Sequence, residues 1–370
     1  MSAGDVVANE NLSRAKAAKK DEFYTQLEDI ERELAHYTAH FAGKTVLCNC
    51  DDPRVSNFFH YFAYSFDQLH LKRLVTTCYK SQSMELFSQG DSERAIWLEY
   101  TGQTDGGRVP TVEEIGLHQL AGDGDFRSPE CIALLEQADI VVTNPPFSLF
   151  REYVAQLVEY DKKFLIIGNK NAITYKEIFP LIKENKLWVG WTPITGSRWF
   201  EVPPDYENKF IKCVDGKRLV PIKAVWFTNL DHAKRHEPLI LYRSYSPNEY
   251  PHYDNYDAIE VSKTCDIPAD YDGVMGVPIT FLDKYCPEQF EILGATQRGC
   301  HDLVPDTRKY DDYREMTQAG RPTGSSGSKT NENANLLQND GRKNYFVNDE
   351  GRVVQSAYQR LFIRRRVGHS

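Results

Sequence analysis

The sequence predicts an α/β fold, in which helices cover both faces of an open and mainly parallel β-sheet. Short apolar runs, such as residues 139–143 and 163–168, alternate with stretches of helical periodicity as far as about residue 235. Near-continuous apolar strands are typical of parallel sheets that are buried on both faces. The chain has 370 residues, of which 41% are hydrophobic, and this is enough for a large core.

The predicted elements follow one another in a regular order. Residues 21–41 favour a helix, because apolar residues recur three or four positions apart, and Gly43 can end it. Apolar runs predict strands at residues 45–49, 73–79, 95–100, 117–121, 139–143 and 163–168. Helical patterns lie between or after these runs, at residues 55–66, 129–137, 149–160 and 175–185. The run Asp105-Gly106-Gly107, followed by residues 108–112, indicates an inserted hairpin.

The pattern changes after about residue 235, and this change divides the chain. Tyrosine and proline become frequent and helical periodicity fades, so residues 236–370 are expected to form a second, irregular region. Within it, residues 317–344 are rich in Gly, Ser and Asn and are expected to be a flexible loop. Residues 1–20 are expected to form a basic arm, which leaves residues 21–235 for the sheet.

The charge balance limits how the chain can bind nucleic acid. There are 44 Lys and Arg residues against 53 Asp and Glu residues, so the net charge is −9 and a uniformly basic surface is excluded. Any contact with nucleic acid must come from local patches. Residues 341–370 contain seven basic and two acidic residues, a local charge of +5, and their candidates for phosphate contacts are Arg364, Arg365 and Arg366.

Several other classes of protein are excluded because the sequence lacks their characteristic motifs. No apolar run approaches the 18 or more residues of a membrane span, and the N-terminus has no apolar core of a secretory signal, so a cytoplasmic protein without membrane contact is expected. The 8 cysteines form no CxxC pair, and no HExxH motif is present. We therefore expect neither a disulfide framework nor a metal site.

The motif that carries chemistry is Asn144-Pro145-Pro146-Phe147, directly after the apolar run 139–143. In an open parallel sheet, ligands bind beyond the carboxyl ends of the strands. Two prolines fix the backbone and remove two N–H donors, so the loop presents carbonyls and one amide side chain. The Asn144 side-chain oxygen and the Pro145 carbonyl can accept from the two N–H groups of a planar exocyclic amine, which frees its lone pair. Phe147 can stack on the ring that carries the amine.

This motif resembles the catalytic (Asp/Asn/Ser)-Pro-Pro-(Tyr/Phe) loop of amino-methyltransferases that use S-adenosylmethionine. Together with DEFYT, VLCNCDDPRVSNFF, GDGDFRS, DIVVTNPPFSLF, KFLIIGN, ITYKEIFPLIKENKLW and YDGVMGVPITFL, it makes the chain similar to the EcoRI-type adenine-specific DNA methyltransferases over roughly residues 21–295. The resemblance implies a class I, Rossmann-like methyltransferase sheet in residues 21–235 and a target-recognition region in residues 236–370. It also implies site-specific methyl transfer from S-adenosylmethionine to N6 of an adenine flipped out of duplex DNA, as in restriction–modification.

The resemblance also assigns cofactor residues. Asp125 would accept from the amine of the cofactor's adenine while Phe126 packs on its ring, and Asp123 lies in the same loop. The remaining candidates are Phe23, Tyr24 and Thr25 in the N-terminal element, and Asn49, Asp51 and Asp52 in the first strand-to-helix loop. That loop departs from the wider class, because the chain has no glycine between Gly43 and Gly90.

Structural roles stay open for several of these residues. The loop at residues 122–126 can be an ordinary turn, Asp51 and Asp52 can cap a helix, and residues 23–24 can be the apolar entry to the first helix. Residues 199–200 can form either the far wall of the base pocket or part of the core.

Two functional alternatives also stay open. One is an amino-methyltransferase acting on RNA bases or on a protein glutamine with the same loop, and the other is a non-catalytic DNA-binding protein. Methyl transfer to C5 of cytosine is excluded. That reaction needs a cysteine nucleophile, typically in a Pro-Cys step, and the chain has no Pro-Cys dipeptide. For the DNA enzyme we expect a functional monomer, and the existence of a cognate restriction endonuclease stays open. The resemblance suggests GAATTC as the target.

Overall fold

The structure is a computed structural model that describes residues 24–50, 52–79, 95–102, 111–202, 206, 209–296, 310 and 312–366, without the side chains of residues 328 and 329. The chain divides into two compact units. Unit 1 comprises Met1–Ala172 and Leu187–His232, and unit 2 comprises Ile173–Lys186 and Ala233–Ser370.

Unit 1 contains five described helices and twelve described strands. The helices are α1 (Leu27–Leu34), α2 (Asn57–Tyr64), α3 (Val112–Ile115), α4 (Pro129–Gln137) and α5 (Phe150–Glu159). The strands are β1 (Tyr24–Thr25), β2 (Thr45–Asn49), β3 (Arg73–Cys78), β4 (Ile96–Tyr100), β5 (His118–Gln119), β6 (Ile140–Thr143), β7 (Lys163–Asn169), β8 (Trp188–Val189), β9 (Arg198–Glu201), β10 (Lys212–Val214), β11 (Lys217–Ile222) and β12 (Ala224–Thr228).

The main sheet of unit 1 has the strand order β5-β4-β3-β2-β6-β7-β12-β8. Its four central strands are parallel, whereas β4, β5, β8 and β12 pair antiparallel with their neighbours. From β2 the chain passes to β3 on one side and later returns to β6 on the other side. This reversal makes a topological switch point between β2 and β6, which is where open α/β sheets bind ligands.

The core of unit 1 packs around the central strands. All residues of β2 and β6 are buried, as their unbroken apolar character predicts. Ile30 and Leu34 of α1, followed by Tyr37 and Phe41, are fully buried against this core. The burial of all four residues explains why apolar residues recur three or four positions apart in this segment.

A second, smaller sheet in unit 1 is antiparallel, with the order β1-β9-β11-β10. The turn between β10 and β11 contains Asp215 and Gly216, whose φ angles are 49° and 80°. Positive φ at both central residues is typical of the tight turns that match the twist of a two-stranded hairpin.

Unit 2 contains one short described helix and two sheets. The helix is α6 (Phe179–Lys183), and the strands are β13 (Ile259–Glu260), β14 (Met275–Pro278), β15 (Phe290–Ala295), β16 (Arg314–Met316), β17 (Pro322–Ser326), β18 (Asn335–Leu336), β19 (Tyr345–Val347), β20 (Val353–Ser356) and β21 (Arg360–Arg365). One sheet has the order β13-β14-β21-β15, and the other has the order β17-β16-β19-β20-β18.

The structure corrects four predictions of the secondary structure. The expected helix over residues 21–41 is strand β1 followed by α1, which ends at Leu34; Tyr37 then has a φ of −124°. The sheet is mixed rather than mainly parallel. Val112 begins a helix capped by Thr111 and Glu114 instead of ending a hairpin strand, while residues 103–110 lie outside the described residues. The helix expected at residues 175–185 is the shorter α6. Pro180 lacks an N–H and is tolerated in the first turn of a helix, so the helix that contains it begins at Phe179.

The second region is more regular than its composition indicates. The expected flexible loop over residues 317–344 contains β17, a 3₁₀ turn at Gly327–Glu332 and β18, so this segment has regular secondary structure, and its flexibility stays a prediction. Thr330 and Asn335 are fully buried there, and the Asn335 side chain donates to the Thr330 carbonyl at 2.7 Å. Such polar pairing orders a segment that has few apolar residues.

No helix among the described residues is long and apolar enough to cross a membrane. Within the same residues, no group of three His, Cys, Asp or Glu side chains is arranged to hold a metal ion.

Candidate active site

The Asn-Pro-Pro-Phe loop leaves the carboxyl end of β6, between β2 and β7. Pro145 is buried, and the Oδ1 atom of Asn144 is shielded from solvent. Pro146 has a φ of −54°, and its carbonyl accepts from the Leu149 N–H at 2.9 Å, which starts a 3₁₀ turn that leads into α5. The loop is therefore held on both sides, by a buried strand and by a helical turn.

Asn49 ties the end of β2 to the end of β6, where the Asn-Pro-Pro-Phe loop begins. Its backbone carbonyl accepts a hydrogen bond from the Thr143 hydroxyl, and its side-chain Oδ1 accepts one from the Tyr153 hydroxyl of α5. Asn49 is only 3% exposed. The structure therefore places this candidate at the switch point with its side-chain oxygen engaged inside the protein, and Tyr153 is a partner that the sequence analysis missed.

The first strand-to-helix loop turns at Cys50, whose φ is 73°. This left-handed conformation is the one that glycine usually supplies, so Cys50 explains how the loop turns without a glycine. Asp51 lies outside the described residues. Asp52 accepts from the backbone N–H and the Nε of Arg54, each at 2.9 Å, while the cap of α2 is Ser56, which accepts from the Phe59 N–H.

The Gly-Asp-Gly-Asp-Phe loop packs against the end of β3. Gly124 has a φ of 77°, and a Cβ atom there would lie 2.5 Å from the Cys78 carbonyl oxygen. Asp123 accepts from the Asp125 N–H at 3.0 Å. The predicted turn is therefore present, and it presents the Asp125 carboxylate at its end.

Asp125 and Asp52 share one local arrangement. Asp125 accepts from the backbone N–H of Arg127 at 2.8 Å and from the guanidinium nitrogens at 2.8 and 2.7 Å. These bonds hold the pKa of the Asp125 carboxyl below its usual range, although burial opposes the effect. Arg54 and Arg127 were missed by the sequence analysis, but the Asp-x-Arg spacing that they share was a visible signal.

Phe126 joins this loop to the helix that follows the catalytic motif. Its buried ring meets the ring of Tyr153 at a centroid distance of 5.1 Å, and its carbonyl accepts from the Gln156 side chain at 3.1 Å. Because Tyr153 also binds Asn49, α5 connects the loop at residues 122–126 with the end of β2.

The N-terminal element forms part of the small sheet. Tyr24 and Thr25 pair with Glu201 and Phe200 of β9, and the Thr25 carbonyl accepts from the Asn57 side chain at 2.7 Å. Phe23 lies outside the described residues. Tyr24 and Thr25 therefore form a strand that is bonded to the first turn of α2, and the first helix begins only at Leu27.

The two aromatic residues of β9 have different positions. Phe200 is fully buried and faces Phe147 edge to face, at a centroid distance of 6.4 Å. Trp199 points to the other side of the sheet and is 37% exposed. Phe200 thus belongs to the core and at the same time packs against the ring of the Asn-Pro-Pro-Phe loop.

The basic candidates near the C-terminus lie in unit 2 and are engaged locally. Arg364 donates to Glu291 at 2.6 Å, and Arg366 donates to the Pro287 carbonyl at 2.7 Å. Arg365 bonds the Ala269 carbonyl and lies 3.8 Å from the Asp272 carboxylate. The structure brings the three arginines into one depression, but two carboxylates line it with them.

A mixed α/β sheet with an Asn-Pro-Pro-Phe loop at the carboxyl end of a central parallel strand is consistent with a methyltransferase fold. The family model described as "Adenine-specific methyltransferase EcoRI" matches residues 11–366. The chain therefore belongs to the family of EcoRI-type adenine-specific DNA methyltransferases.

Three relatives are similar over most of their length. The chain is 54% identical to Type II methyltransferase M.EcoRI of Escherichia coli over 291 residues, which are 77% of this chain and 89% of the relative. It is 43% identical to Type II methyltransferase M.MpnI of Mycoplasma pneumoniae over 310 residues, or 82% of this chain and 90% of the relative. It is 41% identical to Type II methyltransferase M.MgeORF184P of Mycoplasma genitalium over 318 residues, which are 83% of this chain and 92% of the relative. No solved structure matches the chain.

Proposed function

We propose that the protein transfers a methyl group from S-adenosylmethionine to N6 of an adenine that is flipped out of duplex DNA. The observation that carries this proposal is the Asn144–Phe147 loop, which is fixed at the carboxyl end of β6, at the switch point of the sheet. Membership of the adenine-specific DNA family favours this substrate over RNA bases or protein glutamine.

The loop would act on the amine by accepting hydrogen bonds. The Asn144 side-chain oxygen and the Pro145 carbonyl would hold the two N–H groups, so that the nitrogen lone pair is free to attack. Phe147 would stack on the adenine ring while Phe200 supports it from the side. Because these groups are fixed before the substrate enters, they would stabilise the reacting geometry without rearrangement. The amine proton would leave to water after the transfer.

The residues at the switch point have the chemistry that S-adenosylmethionine requires. When bound, S-adenosylmethionine would supply an electrophilic methyl group. Arg127 holds the pKa of the Asp125 carboxyl below its usual range, and a carboxylate paired with one arginine still has lone pairs for an adenine amine. Phe126 would border the adenine, Tyr24 and Thr25 would lie toward the methionine end, and Asn49 and Asp52 would shape the first loop. Asp51, Asp123 and Phe23 remain candidates on the resemblance alone.

We further propose a Rossmann-like class I sheet for unit 1 and target recognition by residues 236–370. Arg364, Arg365 and Arg366 would contact phosphates there if DNA displaces their present carboxylate and carbonyl partners. A chain that holds both parts would act as a monomer, and a cognate endonuclease would recognise the same site.

The test is methyl transfer from tritiated S-adenosylmethionine to duplex DNA, with the label identified after digestion as N6-methyladenine. Asn144→Ala should abolish turnover and leave cofactor binding, measured by calorimetry, nearly unchanged. Phe147→Ala should lose most activity, whereas the matched control Phe147→Tyr, which keeps the ring, should retain it. Label on RNA or on protein instead of DNA, or full activity of Asn144→Ala, would contradict the proposal.

A further inference from the structure

The small sheet of unit 1 has two faces of opposite character. Across its strands Lys212 pairs with Leu219, Val214 pairs with Lys217, and Pro221 pairs with Trp199. Since paired residues point to the same side of a sheet and successive residues alternate, Trp199, Lys212 and Lys217 share one face, which we call the outer face. The opposite face carries the buried side chains of Phe200 and Val220.

The outer face and the adjoining turn combine exposed rings with lysines. The Nζ atom of Lys212 lies 5.0 Å from the centre of the Trp199 ring, and the Nζ atom of Lys209 lies 4.9 Å from the centre of the Phe210 ring. Trp199 is 37% exposed and Phe210 is 59% exposed. Large aromatic rings that are exposed beside cations contribute little to the stability of a core. They suit a ligand that offers negatively charged phosphates together with sugars or planar rings.

The charge of this segment is opposite to that of the chain. Residues 209–223 contain five Lys or Arg residues and one acid, Asp215, so five minus one leaves +4 on a chain of net −9. Lys217 is paired with Glu201 at 3.2 Å, and Arg218 donates to the Tyr206 carbonyl at 2.7 Å. Lys209 and Lys212 contact aromatic rings instead, which leaves their ammonium groups available to phosphates.

The position of the outer face connects it with the reaction. Phe200, on the buried face, meets Phe147 of the catalytic loop, and its neighbour Trp199 is on the outer face. The sheet is a single layer of strands, so the two faces are separated by one sheet thickness. The charged outer face therefore belongs to the same small sheet as the ring that contacts Phe147.

We propose that Lys209, Phe210, Lys212 and Trp199 form a DNA-backbone contact surface in unit 1, on the small sheet whose opposite face carries Phe200. The inference rests on the proposed function, because it takes duplex DNA as the substrate. Lys209 and Lys212 bind phosphates, and the rings of Phe210 and Trp199 keep the lysines in place and pack on the sugars. Such contacts add affinity and position the duplex without reading its sequence.

The salt dependence of duplex binding tests this surface. Each lysine that neutralises one phosphate contributes about 0.9 to the slope of log K against log salt concentration, so Lys209→Gln with Lys212→Gln should lower the slope by about 1.8. Cofactor binding and the methylated sequence should not change. The matched control is Lys72→Gln with Lys163→Gln, at the exposed amino ends of β3 and β7, and it should leave the slope as in the wild type.

A second measurement does not depend on substitutions. In lysine acylation followed by mass spectrometry, duplex DNA should protect Lys209 and Lys212 several-fold more than Lys72 and Lys163. An unchanged slope together with equal protection of all four lysines would overturn this inference while the wild type still methylates DNA. Absence of N6-methyladenine from the wild-type reaction would instead overturn the proposed function, so the two failures are distinguishable.

Discussion

Phe147 and Phe200 meet edge to face, with their ring planes at 86° and their centroids 6.4 Å apart. Phe200 also pairs through its backbone with Thr25 of β1 and with Val220 of β11. One buried ring therefore links the Asn-Pro-Pro-Phe loop to the small sheet that contains the N-terminal element. We expect the orientation of Phe147 to depend on this contact, because aromatic pairs favour edge-to-face geometry.

Replacing Phe200 should separate stability from catalysis. Phe200→Ala removes a fully buried ring and should cost about 3–5 kcal/mol of unfolding free energy. Phe200→Leu keeps most of the volume and should cost less than about 1.5 kcal/mol, yet it removes the support of Phe147. Urea unfolding measures the first effect, and the turnover rate of the folded Leu variant measures the second. A Leu variant with wild-type turnover would show that Phe147 is positioned by other contacts.

A second prediction concerns Glu33, a fully buried carboxylate on α1. It accepts from the N–H groups of Trp191 and Thr192 at 2.6 and 2.9 Å, and from the Thr192 hydroxyl at 2.6 Å. Glu33→Ala leaves one buried and one partly buried N–H group without this acceptor and should cost about 3 kcal/mol in urea unfolding. Glu33→Gln keeps one acceptor oxygen and should cost less, while Glu31→Ala, on the exposed side of the same helix, should be neutral. Equal stability of the Ala variant and wild type would contradict this role.

Gly124 should be intolerant of a side chain. A Cβ atom would lie 2.5 Å from the Cys78 carbonyl oxygen and 2.8 Å from the Ala95 Cβ, and the φ of 77° is itself unfavourable for alanine. Gly124→Ala should therefore shift the loop that carries Asp125, and the KM for the cofactor should rise at least several-fold. Gly43→Ala, with a similar φ but open space around it, is the matched control for strain alone. Equal KM values in the two variants would show that the loop does not bind the cofactor.

The local parts of this site are predictable from sequence, and the non-local parts are not. Strand β2 and helix α4 have the predicted bounds, because an apolar run and a Ser128 cap followed by Pro129 are local signals. Glu33 looks like any helix acid, since its partners lie 158 and 159 residues away in the sequence. The strands within residues 317–344 escaped prediction for a related reason, because their pairing is decided by tertiary contacts and not by intrinsic propensity.

Asp125 should make the stability of the protein depend on pH at the acidic end. Its folded-state pKa is lowered by the hydrogen bonds from Arg127, so its contribution is complete above the unfolded value of 3.8 and is lost as the pH falls through the folded value. The difference in unfolding free energy between wild type and Asp125→Asn should therefore be constant near neutral pH and shrink below about pH 4. Urea unfolding at several pH values measures this difference. A difference that grows toward low pH would reverse the sign and contradict the assignment.

The last prediction concerns unit 2 and its proposed role in target recognition. Arg360 of β21 and Glu260 of β13 form a buried ion pair with two hydrogen bonds of 2.9 and 2.7 Å, and the Tyr253 hydroxyl also donates to Glu260. Arg360→Leu leaves a buried carboxylate without its cation and should cost about 3–5 kcal/mol, whereas the double variant with Glu260→Leu should recover part of the loss. If residues 236–370 recognise the target, Arg360→Leu should weaken binding to specific DNA while cofactor binding, measured by calorimetry, stays intact. Loss of cofactor affinity in this variant, with DNA binding unchanged, would assign the opposite role to unit 2.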